Sequence, residues 1–193
     1  MKKYVLAVVL ALVAGSAIAD EYVGVGVGST RTTDVAGTST RSNYGVVTLG
    51  QNIGQFAVEG RVAVKETATT NALGDFVEAR ARYNFADVVG VKPWVRVSVG
   101  EQFTGAADHA YVGVEPGVGY QFTPTLRGDV SIARAVTTAH VAGADATTGE
   151  VGVSYALTTA TSVGVNYSHA INQTGTVSQL GTSAVVVSFN HSL

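Results

Sequence analysis

The sequence predicts an all-β protein: an antiparallel up-and-down barrel of about ten strands that crosses a membrane, with eight strands and longer loops as the alternative count. Three observations predict it. From Tyr22 to Leu193 the chain is a relay of short segments in which apolar and polar or small residues alternate. The polar phase carries full charges of both signs, as in Phe56-Ala-Val-Glu-Gly-Arg-Val-Ala-Val-Lys65, where Phe56, Val58, Val62 and Val64 oppose Glu59, Arg61 and Lys65. Lastly, the start of the chain reads as an export leader. Period-two alternation marks a strand whose faces meet different surroundings. Charges on one face and aliphatics on the other suit a barrel with a polar interior and a lipid-facing exterior.

Met1-Lys2-Lys3 is a basic start, Tyr4 to Ala14 an apolar run and Ala17-Ile18-Ala19 an A-x-A site, so residues 1–19 read as a cleaved signal peptide. No later segment approaches the roughly 20 consecutive apolar residues of a spanning helix. Residues 20–193, about 174 residues, read as one domain. Charged residues make up 13 % of the chain, against about 25 % in ordinary soluble domains. Without Lys2 and Lys3 the basic count falls from 12 to 10 against 14 acidic residues, which argues against a nucleic-acid partner. With no cysteine, stability must come from burial and a closed hydrogen-bonded sheet, not disulfides.

Strands are expected near 22–30, 43–52, 55–66, 75–86, 92–103, 109–122, 125–136, 148–157, 162–172 and 181–193. Short links at 52–54, 86–91, 123–124 and 158–161 alternate with longer polar links at 31–42, 67–74, 104–108, 137–147 and 173–180. Such a hairpin series has one rim of turns and one rim of loops. Val77, Ala79, Ala81, Tyr83 and Phe85 oppose Glu78, Arg80, Arg82 and Asn84, and Val95, Val97 and Val99 oppose Arg96, Ser98 and Gly100. Val112, Val114, Val118, Tyr120 and Phe122 oppose Gly113, Glu115, Gly117, Gly119 and Gln121, while Val151, Val153, Tyr155 and Leu157 oppose Glu150, Gly152 and Ser154. In the last segment Val185, Val187 and Phe189 oppose Ser188 and Asn190.

A soluble sandwich also alternates, and a secreted or periplasmic β-sandwich that binds a partner is the rival reading. Two features favour the barrel. Phe56, Tyr83, Phe85, Tyr120, Phe122, Tyr155 and Phe189 all fall at the short-turn end on the apolar phase, where a girdle of aromatics would meet the membrane interface. The apolar face is also built of Val, Ala and Gly, not the large aliphatics of a packed core. Arg134 falls on the outward phase near the outer rim. Pro116 lacks an N–H for the ladder and is expected to mark a bulge. Gly24, Gly26 and Gly28 face inward, leaving room or allowing curvature.

In pattern and architecture the whole mature chain resembles the small bacterial outer-membrane β-barrel proteins, the OmpA/OmpX-like and opacity-type porin-family barrels. Its last strand, Val185-Val-Val-Ser-Phe189-Asn-His-Ser-Leu193, alternates as theirs do, with Leu193 where they close on an aromatic residue. The resemblance implies an outer-membrane location in a Gram-negative-type bacterium, with outer-membrane lipid and the outer-membrane assembly machinery as partners. It also implies adhesion, small-solute passage or a structural role.

The candidate site is a charge network in the lumen: Glu59, Arg61, Lys65, Glu78, Arg80, Arg82, Arg96, Glu115, Arg127, Asp129 and Glu150. The basic members concentrate on the third to fifth strands and the acidic ones on the sixth to eighth, so a basic wall would face an acidic one. Ionised groups in a narrow bore must find partners or water, so either salt bridges fill the bore or a narrow aqueous path crosses a transverse field. Enzymatic readings find little. Asp108 and His109 are adjacent, which on a strand points them to opposite faces, and His140, His169 and His191 are dispersed. Neither a metal-ligand spacing nor a phosphate loop occurs. No cofactor is expected, and a monomer is. The loops carry Arg31, Asp34, Arg41, Asp108, His140 and Asp145 but almost no aromatic anchors, so no surface ligand is indicated.

Overall fold

The computed structural model describes residues 20–34, 36–65, 75–103, 108–137, 145–172 and 179–193. The expected leader, His140 and most of the longer connections lie outside them. Within them the chain forms ten antiparallel strands: β1 Asp20–Asp34, β2 Ser39–Ile53, β3 Phe56–Lys65, β4 Asp75–Asn84, β5 Val91–Phe103, β6 Asp108–Gln121, β7 Leu126–Thr137, β8 Ala146–Ala156, β9 Thr161–Asn172 and β10 Gln179–Ser192. Each strand pairs with its neighbours in sequence, and β10 returns to pair with β1, closing the barrel. Closure leaves no unpaired edge, which is what allows a sheet to sit in hydrocarbon.

Side chains alternate across this wall as the sequence pattern requires. Val25, Val27, Val47, Val97, Val99, Val112, Val130, Val151, Val165 and Val187 are all exposed on the outside. Among the described residues the buried hydrophobics are only Val46, Ala57, Ala63 and Trp94. Soluble proteins rarely expose a continuous apolar surface of this kind. This inversion argues against the sandwich reading, as does the single closed sheet.

The turns explain the tight rim. Gly54 takes the left-handed conformation (φ 62°) that the link between Ile53 and Phe56 requires. Beyond β4, the Asp87 carboxylate accepts the Gly90 N–H at 2.7 Å across a turn that holds exposed Val89 at φ 55°. Thr123 Oγ1 accepts from the N–H of Leu126 (3.0 Å), and Thr158 Oγ1 from that of Thr161 (3.0 Å), which are side-chain-capped turns. At the closure the Leu193 N–H donates to the Glu21 carbonyl at 2.9 Å.

Two expectations need correction. The first outer link is not a long loop over 31–42. Thr30, Arg31, Thr32 and Thr33 pair with Ser42, Arg41, Thr40 and Ser39, so β1 and β2 run on to Asp34 and Ser39. Threonine suits a pleated strand as readily as a loop, and polarity alone misplaced the boundary. Pro116 makes no bulge: it sits opposite Val95, and the register is unshifted on both sides of β6. The ladder to β7 simply lacks the 115–116 pairs, and the proline faces outward, so the missing N–H costs local hydrogen bonds without displacing the strand.

Candidate functional site

The inward phase builds a polar interior whose charges pair mainly with strand neighbours. Glu78, on β4 and only 4 % exposed, accepts from Arg61 Nη1 of β3 (3.2 Å) and from Arg80 Nε of its own strand (2.5 Å). Glu115 on β6 accepts from Arg96 Nε and Nη2 of β5 (2.9 and 2.5 Å) and from Ser131 Oγ of β7 (2.6 Å). Arg127 clamps Asp129 two residues on, at 3.0 and 2.6 Å. The Tyr22 hydroxyl donates to Glu59 Oε1 at 2.5 Å, reaching from β1 to β3. Bonds to charged groups, bidentate as at Arg127 and converging on one Glu115 oxygen from Arg96, are stronger than neutral ones and fix geometry. The network therefore braces the β3–β7 wall from within.

Two charged residues of the bore stand apart. Arg82 makes no ion pair among the described residues; its guanidinium lies 5.2 Å from the Trp94 ring centroid, and its Nε is buried without a partner there. Arg96 stacks on the same ring at 5.3 Å, so the indole lies between two cations. Glu150 on β8, opposite Ser131 and Ser168, forms no hydrogen bond or ion pair among the described residues. Lys65 lies opposite Tyr44 at the outer end of β3, and its side chain is outside the described set.

The sequence reading overlooked a second interior group, the aromatics Tyr22, Tyr44, Phe76, Trp94 and Tyr111. Four of them face a glycine directly across the ladder: Tyr22 on Gly50, Tyr44 on Gly28, Trp94 on Gly117 and Tyr111 on Gly100. A methyl group on any of those glycines would collide with the ring that covers it. An aromatic laid on a strand glycine shields exposed backbone and pins the register. It also lets the side chain reach over one strand, as Tyr22 does over Gly50 to Glu59. The glycines of β1 serve the same end, since Gly24 makes room for Asn190 and Gly26 for Val46 and Val186. Phe76 carries Arg61 at 5.5 Å. The signal was available: these residues occupy the inward phase of the same alternation.

The bore is thus asymmetric. Between β3 and β6 it is crowded by arginines, carboxylates and rings. From β8 to β10 its wall is mostly small and polar, with Ser154, Ser162, Gly164, Asn166, Ser168, Ser188 and Asn190 on the inward phase around the single charge of Glu150. Asn166 lies against Gly152 and is still exposed to solvent.

On the outer wall, Phe56 packs on Tyr83 and Tyr83 on Phe85, each with centroids 4.9 Å apart, and Tyr120 on Phe122 at 5.1 Å. With Tyr155 and Phe189 these residues lie toward the short-turn rim. Near the opposite rim Arg134 does face outward, but it bonds Thr147 (3.1 Å) and Asp145 (3.4 Å). Asp108 and His109 are consecutive residues at the start of β6, and the side chain of Asp108 lies outside the described set. His169 bonds Ser183 and His191 bonds Thr161, each at 2.9 Å on the exposed surface.

Solved structures share this barrel. An outer membrane channel from Pseudomonas putida F1 superposes with a TM-score of 0.62 at 10 % identity, over 92 % of this chain and 97 % of the channel. The transport unit of the autotransporter AIDA-I from Escherichia coli matches with a TM-score of 0.51 at 9 % identity, over 100 % and 98 %. The NanC porin gives 0.50 at 12 % identity, over 91 % and 100 %. At these identities the likeness is one of fold. No protein-family model matches the chain, and no curated protein sequence matches it.

Proposed function

We propose that this protein is an integral outer-membrane barrel, exported by residues 1–19, whose bore is a narrow polar passage braced by its own ion pairs: a minor pore. The observation that carries this reading is the inversion of the wall, valines outside and paired charges inside. The seven outer aromatics would form the girdle at the periplasmic interface of the outer membrane, and the alternating β10 would present the closing strand to the assembly machinery. The channel and porin with the same fold support the reading. A folded barrel of this class should run at a heat-dependent position on a denaturing gel and need detergent for extraction. Solubility without detergent and no mobility shift would sink it.

The passage itself is supported by the mostly small and polar wall of β8–β10 and by solvent-exposed Asn166. Among the described inward side chains, Arg61, Arg80, Arg82, Arg96 and Arg127 equal Glu59, Glu78, Glu115, Asp129 and Glu150 in number, and Glu150 lines the less crowded side with no ion pair. The expected result in a planar bilayer is small conductance steps with a modest preference for cations, reversed by Glu150→Lys. Arg82→Ala should enlarge the steps by removing a side chain from the crowded side. Absence of current in both the native protein and Arg82→Ala would make this a closed structural barrel.

A further inference from the structure

The geometry points to a binding site on the outer wall for one phosphate-bearing anionic lipid of the surrounding leaflet. We infer that its headgroup sits on Arg31 and Arg41 and an acyl chain lies in the groove beneath them; this rests on the membrane-barrel reading. Arg31 of β1 and Arg41 of β2 are direct cross-strand partners, and both are exposed on the outward phase at the loop end. Like charges directly opposite one another destabilise a strand pair. Here nothing described offsets them: Arg31 bonds only Ser39 Oγ (3.1 Å), and neither guanidinium has a carboxylate partner among the described residues. A guanidinium pair facing outward in a membrane wall is matched by phosphate, which accepts its planar donors bidentately.

The second observation is independent of charge. A groove of about 670 Å³ lies on the outer wall, lined by Val27, Ser29, Gly45, Val64, Val185 and Val187 among others. That volume falls within the range of small-molecule sites. Small residues at its centre create it, since a Cβ placed on Gly45 would touch nothing. Ser29 lies two residues before Arg31, about 7 Å along the strand, so the groove begins directly below the cationic pair. Aliphatic walls with cations at one end fit an acylated anion, and neither half alone fits a protein partner as well. Arg134, the other outward arginine near this rim, is already engaged by Asp145, which singles out the β1–β2 pair.

The test uses the purified full-length barrel in a neutral detergent, with bound lipid counted by native mass spectrometry. Phosphatidylglycerol is expected to bind one-to-one, ahead of phosphatidylcholine. Arg31→Gln with Arg41→Gln should weaken phosphatidylglycerol about tenfold or more while leaving phosphatidylcholine unchanged. Gly45→Leu, which fills the groove without touching the arginines, should weaken both. Displacement of the lipid by inorganic phosphate alone would mean a free-anion site and overturn the proposal, as would undiminished binding by the variants. Heat-dependent gel mobility of each sample separates the failures. A protein lacking it overturns the barrel reading and this one together, whereas a proper barrel without lipid preference overturns this inference alone.

Discussion

Glu78→Ala is expected to lower the unfolding free energy of the barrel by about 3–5 kcal/mol, the range for removing one partner of a buried ion pair. Glu78 is buried and serves two arginines at once, Arg61 at 3.2 Å and Arg80 at 2.5 Å, whose side chains are less than a fifth exposed. Its loss leaves two guanidinium groups facing each other in the bore, offset by Glu59 and, for Arg80, more weakly by Glu115 and Glu150. Desolvated like charges then add to the missing hydrogen bonds. Glu78→Gln keeps an acceptor but not the charge and should fall between. Replacing Arg61, Glu78 and Arg80 together by leucine should cost far less than Glu78→Ala, because no charge is left unpaired. Equilibrium denaturant unfolding in detergent measures this, read through the fluorescence of Trp94, the only tryptophan of the chain. A loss below about 1 kcal/mol would show that water, not Glu78, solvates these arginines.

The same network marks where sequence reading reaches its limit. Which face of each strand looks outward was legible across the middle of the wall, because there one face meets an apolar environment and its residues are mostly valines, with Arg31, Arg41 and Arg134 departing from the pattern only near the outer rim. The turn signals at Gly54, Asp87–Gly90, Thr123–Pro124 and Thr158 pointed to about ten strands while leaving eight open, and the closed sheet has ten. The interior obeys pairwise rules instead. That Glu115 bonds Arg96 and Ser131 depends on β5–β6 and β6–β7 registers that no single strand contains. The aromatics escaped notice for the same reason, since Tyr44 or Trp94 on the inward phase makes sense only with Gly28 or Gly117 across from it. Ladder length was misjudged at β1–β2 because the run Thr30 to Asp34 has the composition of a loop and the pairing of a strand. Pro116 misled in the opposite direction: its missing N–H was read as a bulge, yet the β5–β6 ladder runs through it and the β6–β7 register is unshifted across the pairs missing there.

The aromatic–glycine pairs lead to the second large effect. Gly117→Ala is expected to destabilise the barrel by about 1–3 kcal/mol, the range for overpacking a filled interior. In a strand this substitution ordinarily helps, since glycine loses more entropy on folding and packs nothing. The sign reverses here because the added methyl would overlap the indole of Trp94. That ring has nowhere to go, flanked by Arg82 at 5.2 Å and Arg96 at 5.3 Å, with Arg96 itself tied to Glu115. A shift of the ring therefore loosens two cation contacts and strains an ion pair. The control is the same change in a Trp94→Ala background, where Gly117→Ala should be neutral or stabilising. The coupling between the two sites then measures the fit of ring on glycine. Loss of far-UV circular dichroism in denaturant follows all four proteins without needing the tryptophan. Equal costs in both backgrounds would mean that Gly117 is required by the backbone itself, and that Trp94 merely lies above it.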